Sequence, residues 1–276
     1  MAARIEPLRT GAPKTWGVRL LILSVIAYMG VLILAPILAL IEGAWQNGFP
    51  AILTALVDPA LRQSLLVSLQ IALGVVAIQA VLGTLTAWVI VRHNFLGRAL
   101  LNGLIDIPFA ISPVVVGYML LLLFGRNGLL GPLMDRFDLQ VAFALPGMFL
   151  ATLFVSLPFM IREMVPVIEN LDRQQEHAAA TLGAGRWTIF RRITLPPLRN
   201  ALIYGMTLTL ARALGEFGAV LVIGGGVQGR TETTTLYIFR ALDERQYVEA
   251  YTAAILLGLF SISIVYIADW LRHRSE

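Results

Sequence analysis

Five stretches of this chain carry no Asp, Glu, Lys or Arg at all: 20–41, 63–91, 107–125, 139–161 and 250–268. Each is near or above the ~20 residues with which an α-helix crosses bilayer hydrocarbon. A sixth apolar stretch, 200–224, is interrupted by Arg212 and Glu216. The runs are continuous rather than alternating, which selects helices over a barrel, and lipid permits no third way to satisfy the backbone. With 58% of residues apolar and 14% charged, so much apolar surface does not fit inside one soluble core. The expected fold class is an all-α membrane protein with six transmembrane helices.

Orientation follows from the basic residues. With both termini cytoplasmic, the inner segments hold fourteen Lys and Arg and the outer segments six, with Arg212 left inside a span. This divides the chain into a cytoplasmic N-terminal tail at 1–19, a six-span domain at 20–271 and a C-terminal tail at 272–276. The first run is too long for the apolar region of a secretory signal and no small-residue cleavage site follows it before Glu42, so it reads as an uncleaved span. Zero cysteines exclude disulfides and a thiol nucleophile. The arginine-rich inner loops suit anionic membrane lipid rather than nucleic acid.

The longest basic gap between spans contains EHAAATLGAGRWTIFRRITLPP at 176–197. Ala178, Ala179, Leu182, Trp187, Phe190 and Ile193 fall at helical spacing, which predicts short amphipathic helices broken at Gly183 and stopped by Pro196 and Pro197. Such a segment either lies on the bilayer interface or docks on a partner. Elsewhere, the run 63–91 would reach ~43 Å as a helix, so it tilts or projects beyond the bilayer. An outside loop is expected around Trp45 to Leu61.

The third span opens with DIPFAISPVVVG at 106–117, where Asp106, Ser112 and Pro113 sit at a helix break. Prolines there free backbone groups that lipid cannot satisfy, so the segment packs as a kinked helix or faces a wet path. Pro146 and Pro158 are expected to kink the fourth span. Arg212 and Glu216 are four apart and can pair, since either charge alone would cost ~2.5–3.5 kcal/mol at a helix centre. They read either as a structural pair or as a gating element. Gly224 to Gly226 end that span. No phosphate-binding glycine loop and no metal-spaced cluster is present, and the only histidines are His93, His177 and His273. If ATP drives the protein, another subunit binds it.

The segment fits HAA-x3-G-x9-I-x-LP, from His177 through Gly183 and Ile193 to Leu195 and Pro196. This resembles the EAA loop of ABC importer permeases, with His177 in the slot of the motif's glutamate and Glu176 one position early. Together with DIPFAISPVVVG, NGLLGPLMDRFDLQVAFALPGM at 127–148, REMVPV at 162–167 and RALGEFGAVLVIGGG at 212–226, the chain resembles the permease subunits of sulfate and thiosulfate ABC importers, the CysW type. The resemblance implies a type I importer fold in the bacterial inner membrane. It also implies that the loop at 171–197 is the coupling element that seats in an ATPase. Two CysA-type ATPase subunits carrying ATP and Mg, a CysT-type second permease and a periplasmic sulfate-binding protein are the implied partners, and no cofactor is implied on this chain. Molybdate and tungstate permeases share the loop and stay open as an alternative, as does an ion-driven secondary transporter; a membrane enzyme is disfavoured because no catalytic groups converge.

Overall fold

A computed structural model describes residues 16–273, so the tails expected at 1–19 and 272–276 lie largely outside the described residues. The first span is α1 (Trp16–Trp45), which leans on the rest through Gly43 and Ala44 and otherwise turns its Leu, Ile and Val side chains outward. Gly43 meets the ring of Tyr251, and no side chain would fit between them. A short helix, α2 (Phe49–Leu56), occupies the expected outer loop. The second span begins at α3 (Pro59–Ile78), whose first turn is capped by the Asp58 carboxylate accepting from the Ala60 N–H at 3.1 Å. It continues through a π-helical stretch, Gln79–Gly83, into α4 (Thr84–Arg92).

The third span is not one helix. α5 (Arg98–Ala110) stops at Ile111 and Ser112, and α6 (Pro113–Phe124) leaves at 113° to it. Pro113 explains the break: it suits the first turn of a new helix, where no N–H is needed, and it biases Ser112 away from helical geometry. Ser112 accordingly has ψ 136°. A one-and-a-half-turn helix, α7 (Gly131–Arg136), lies in the following loop.

The fourth span, α8 (Leu145–Glu169), is the centre of the molecule. Pro146 lies in its first turn, and the helix stays one element past Pro158 and Pro166. Arg162, one of the fourteen basic residues counted on the inner side, follows directly on the uncharged run 139–161, yet α8 carries on for two further turns, so Arg162 is part of the same helix as that run.

After α9 (Arg173–Thr181) and α10 (Arg186–Ile189), a second π-helical stretch, Phe190–Thr194, runs directly into α11 (Leu195–Leu214). Pro196 and Pro197 do not stop this helix as expected. They occupy the first turn of α11, and the π stretch before them absorbs the missing N–H donors. The fifth span is also bent: α12 (Gly218–Gly224) follows at 57°. α13 (Thr234–Asp243) lies at the outer face, and α14 (Tyr247–His273) is the last span. Among the described residues, four helices are long and apolar enough to cross a membrane, or six if each bent pair counts as one.

Two buried clusters surround α8. Toward its start, Met148, Ala151 and Val155 pack on Val67, Ile71 and Val75 of α3, Val116 of α6, and Val220 and Ile223 of α12. Toward its end, Met160, Ile161, Met164 and Ile168 pack on Ala87, Ile105, Leu198 and Ala201. Glycines let backbones approach here: a methyl on Gly205 would lie 2.6 Å from the Met160 sulfur, and one on Gly117 would lie 2.7 Å from Val222.

The outer face is closed by polar contacts. The Tyr237 hydroxyl donates to Asp58 at 2.7 Å, and burial together with that carboxylate pushes the phenol well above its usual range. Arg240 donates to the buried Glu232 at 2.6 Å and to Glu244 at 3.0 Å, and its pKa is raised, first by the hydrogen bond to Glu232. Asp58, Arg240 and Glu244 border a cavity of about 590 Å³ that is also lined by Gln228, Gln246 and Glu249.

Candidate functional site

The segment at 172–197 hangs from the end of α8 and the start of α11. Asp172 begins α9 by accepting from the Gln174 N–H at 2.8 Å. α9 ends as the Gly183 and Ala184 N–H groups donate to the Ala180 and Ala179 carbonyls, both at 3.0 Å. Gly183 has φ +84°, and nothing lies within 4 Å of where its side chain would be. Glycine is required there for backbone conformation and not for space. The chain then turns into α10, where Trp187 stacks on Phe190 at 5.7 Å.

The two acid-slot candidates face different ways. Glu176 Oε1 accepts from Arg92 Nη2 and from Thr194 Oγ1, each at 3.0 Å. Arg92, whose side chain is 8% exposed, also lies 4.9 Å from the Trp88 ring, and Thr194 is buried. Glu176 therefore ties α9 to α4 and to the π stretch. His177, next along the helix, is exposed. So are Ala178, Pro196 and, far more fully, Leu182 and Trp187 at 88% and 70%, while Ala179 and Ile193 are half-buried and Phe190 and Leu195 sit at the surface. Large apolar side chains stand open on an otherwise polar segment.

The remaining sequence candidates fall into two groups. Pro113, next to Ser112, meets the turn after Glu216: a methyl on Gly218 would lie 3.0 Å from Val114 Cγ2 and 3.4 Å from Pro113 Cβ. The two bends thus pack on each other. Glu216 is 3% exposed and pairs through Oε2 with Arg212 Nη1 at 2.7 Å, as the i,i+4 spacing predicted. Its Oε1 accepts from the Ala219 N–H at 3.0 Å, and its carbonyl accepts from Thr235 Oγ1 at 2.7 Å. The carboxylate thereby serves a free donor in the first turn of α12, where the helix dipole also favours negative charge.

Asp106 belongs elsewhere. Both its oxygens accept from Arg162, Oδ1 from Nε at 2.8 Å and Oδ2 from Nη2 at 2.6 Å. The same guanidinium donates to the Asn102 side chain and carbonyl. Sequence reading missed Arg162, Asn102, Arg92 and Thr194 as members of these sites. The sole available signal was an arginine four residues after Pro158 in an apolar setting; its partner lies 56 residues away. Among the described residues no three acidic or histidine side chains converge as a metal site.

Residues 79–276 match the family described as the binding-protein-dependent transport system inner membrane component. The chain is 40% identical over 269 residues to the sulfate transport system permease protein CysW of Synechocystis sp., covering 97% of this chain and 98% of that one. It is 38% identical to the sulfate transport system permease protein CysT of Escherichia coli strain K12, covering 86% and 87%. Among solved structures, a chain of a bacterial alginate ABC transporter in complex with an alginate-bound periplasmic protein superposes with a TM-score of 0.78 at 19% identity, covering 94% of each chain.

Proposed function

Since the chain belongs to the family of binding-protein-dependent transport system inner membrane components, we propose that it is the pore-forming permease subunit of an ATP-driven sulfate importer. The observation that carries this reading is the end-to-end likeness to a sulfate permease, with 97% of this chain and 98% of the relative aligned. The reading extends to thiosulfate, which presents the same tetrahedral dianion. The path such an anion needs is wet and lined with hydroxyls, amides and helix ends, without a deep positive trap that would prevent release.

In this reading residues 20–271 form the six-span domain and 171–197 the coupling element. Two CysA-type ATPase subunits bind ATP and Mg beneath it, a CysT-type permease completes the pore, and a periplasmic sulfate-binding protein delivers the anion. Leu182, Trp187 and His177 are presented to the ATPase, Gly183 shapes the turn, and Glu176 positions the segment from behind. The exposure of Leu182 and Trp187 supports this division, since water alone gives them no reason to be there. Seating of the ATPase is transmitted along α9 and α10 to the spans.

The test is uptake of radiolabelled sulfate into proteoliposomes holding the purified complex, with binding protein outside, ATP inside and molybdate as competitor. ATP-dependent sulfate uptake is expected. Molybdate-selective uptake by a complex with two copies of this chain would move the protein to the molybdate branch, and uptake without an ATPase would make it a secondary carrier. Gly183→Pro is expected to uncouple ATP hydrolysis from uptake, because proline cannot adopt φ +84°. Charge reversal at Arg191 and Arg192 should disturb coupling less. If Gly183→Pro assembles and couples normally, residues 171–197 do not dock the ATPase.

A further inference from the structure

Arg162 and Asp106 occupy a membrane-spanning helix and its neighbour, yet their side chains are 31% and 49% exposed in the isolated chain. A charge facing hydrocarbon is costly, so charged side chains inside spans turn toward protein or water. The other face of α8 at this level is filled by Met160, Ile161 and Met164, all fully buried. The open face is thus the one a second permease and a wet path must cover.

On that same face, three residues along each helix, Phe109 of α5 meets Phe159 of α8 edge-on at 5.4 Å, and Phe109 is 58% exposed. An aromatic layer and an ionic layer are therefore stacked on one pair of helices. Gly103, also on α5, leaves open space, with nothing within 4 Å of where a side chain would stand. The ionic layer lies about two turns before α8 ends at Glu169, on the side from which the segment at 172–197 hangs.

We propose that Arg162 is an oxyanion contact at the cytoplasmic side of the path, with Asp106 as its resident competitor. The inference rests on the oxyanion reading above and deepens it. A guanidinium offers a planar fork of N–H donors that fits two oxygens of a carboxylate or of a tetrahedral oxyanion equally well. In the structure Asp106 fills that fork from Nε and Nη2, and Asn102 takes Nη1. An arriving sulfate replaces one bidentate partner by another, so the exchange costs little. When the anion leaves, Asp106 closes on Arg162 again, and no bare cation remains to hold the next anion or to draw one back from the cytoplasm. Arg162 thus supplies attraction, and Asp106 supplies release.

The alternative is an ion pair that merely joins α5 to α8, and the double variant Arg162→Gln/Asp106→Asn separates the two. It removes both charges together, leaves no lone buried ion and keeps amides that can hydrogen-bond across the helices. In the reconstituted complex, Arg162→Gln and the double variant are each expected to lower sulfate uptake at least tenfold while assembly and binding-protein-stimulated ATP hydrolysis persist. Arg162→Lys should recover uptake only in part, because an ammonium lacks the fork. Asp106→Asn should lower the internal sulfate concentration that half-inhibits uptake by threefold or more. Uptake by the double variant at half the wild-type rate or better would overturn the proposal, as would an unchanged internal inhibition in Asp106→Asn. Wild-type uptake, measured for sulfate, thiosulfate and molybdate in parallel, is the separate check. If none is carried, the oxyanion reading and this inference fall together; if one is carried, the variants judge the inference alone with that anion.

Discussion

The two bent spans meet at Gly218, yet they are built in opposite ways. The bend between α11 and α12 is filled by Glu216, which is buried, paired with Arg212, bonded to the Ala219 N–H and joined through its carbonyl to Thr235. The sharper bend between α5 and α6 has no such filling. Ser112 is exposed and makes no capping hydrogen bond to α6, and the turn is set by Pro113. A bend held by a buried charge network is a fixed joint, because moving it strands ions in a dry place. A bend set by proline alone leaves its neighbours free to move together with α5. The pair teaches that a broken membrane helix can be either a rigid scaffold or a movable part, and that hydrogen bonding at the break, more than the angle, decides which.

Substitutions that break this contrast are graded. Glu216→Ala should be the most damaging, at about 3–5 kcal/mol, because Arg212 then loses its carboxylate inside a span. Thermal unfolding of the purified complex checks this, and an unshifted midpoint would show the joint is not held by charge. Glu216→Gln keeps the bond to Ala219 and tests role as distinct from stability: lost uptake in a normally assembled complex would make Glu216 more than structural. Gly117→Leu comes next, at about 1–3 kcal/mol, since it drives a side chain into Val222 and the Ala219 carbonyl and prises α6 from α12. Thr235→Val should cost about 1–2 kcal/mol by removing the hydrogen bonds of its hydroxyl to the Glu216 carbonyl and to the Thr233 hydroxyl. Ser112→Ala should change stability by less than about 0.5 kcal/mol, as for surface positions without a bonded partner. A loss for Ser112→Ala as large as that for Thr235→Val, measured by the same unfolding assay, would erase the distinction between the joints.

Spans were readable from sequence because lipid imposes a one-dimensional rule, a long run without charge: three of the five such runs lie wholly in helices, 107–125 crosses the break between α5 and α6, and 139–161 begins six residues before α8. The turn at Gly183 and the Arg212–Glu216 pair were readable because both are local, one set by backbone chirality and the other by helical spacing. What escaped was non-local. Arg162 looked like a loop charge because an uncharged run ended just before it, whereas its partner on α5 is visible only once α5 and α8 are packed. His177 stands in the motif's acid slot with Glu176 one position early, and what separates them is that Arg92 and Thr194 draw Glu176 inward, both approaching through the tertiary fold. Pro196 and Pro197 misled for a related reason. A proline stops a helix only when no upstream adjustment absorbs the missing donors, and the π stretch at Phe190–Thr194 provides one.

That uninterrupted run from Arg186 to Leu214 has a mechanical consequence. At the usual rise per residue the rod is about 43 Å long, so tilting it by about 10° around one end swings the other by roughly 7 Å. Its lower end carries Trp187 and its upper end stops two residues short of Glu216. A small rotation delivered at the tryptophan is thereby amplified into a displacement of several ångströms beside the buried Glu216, with no break in the helix between to dissipate it.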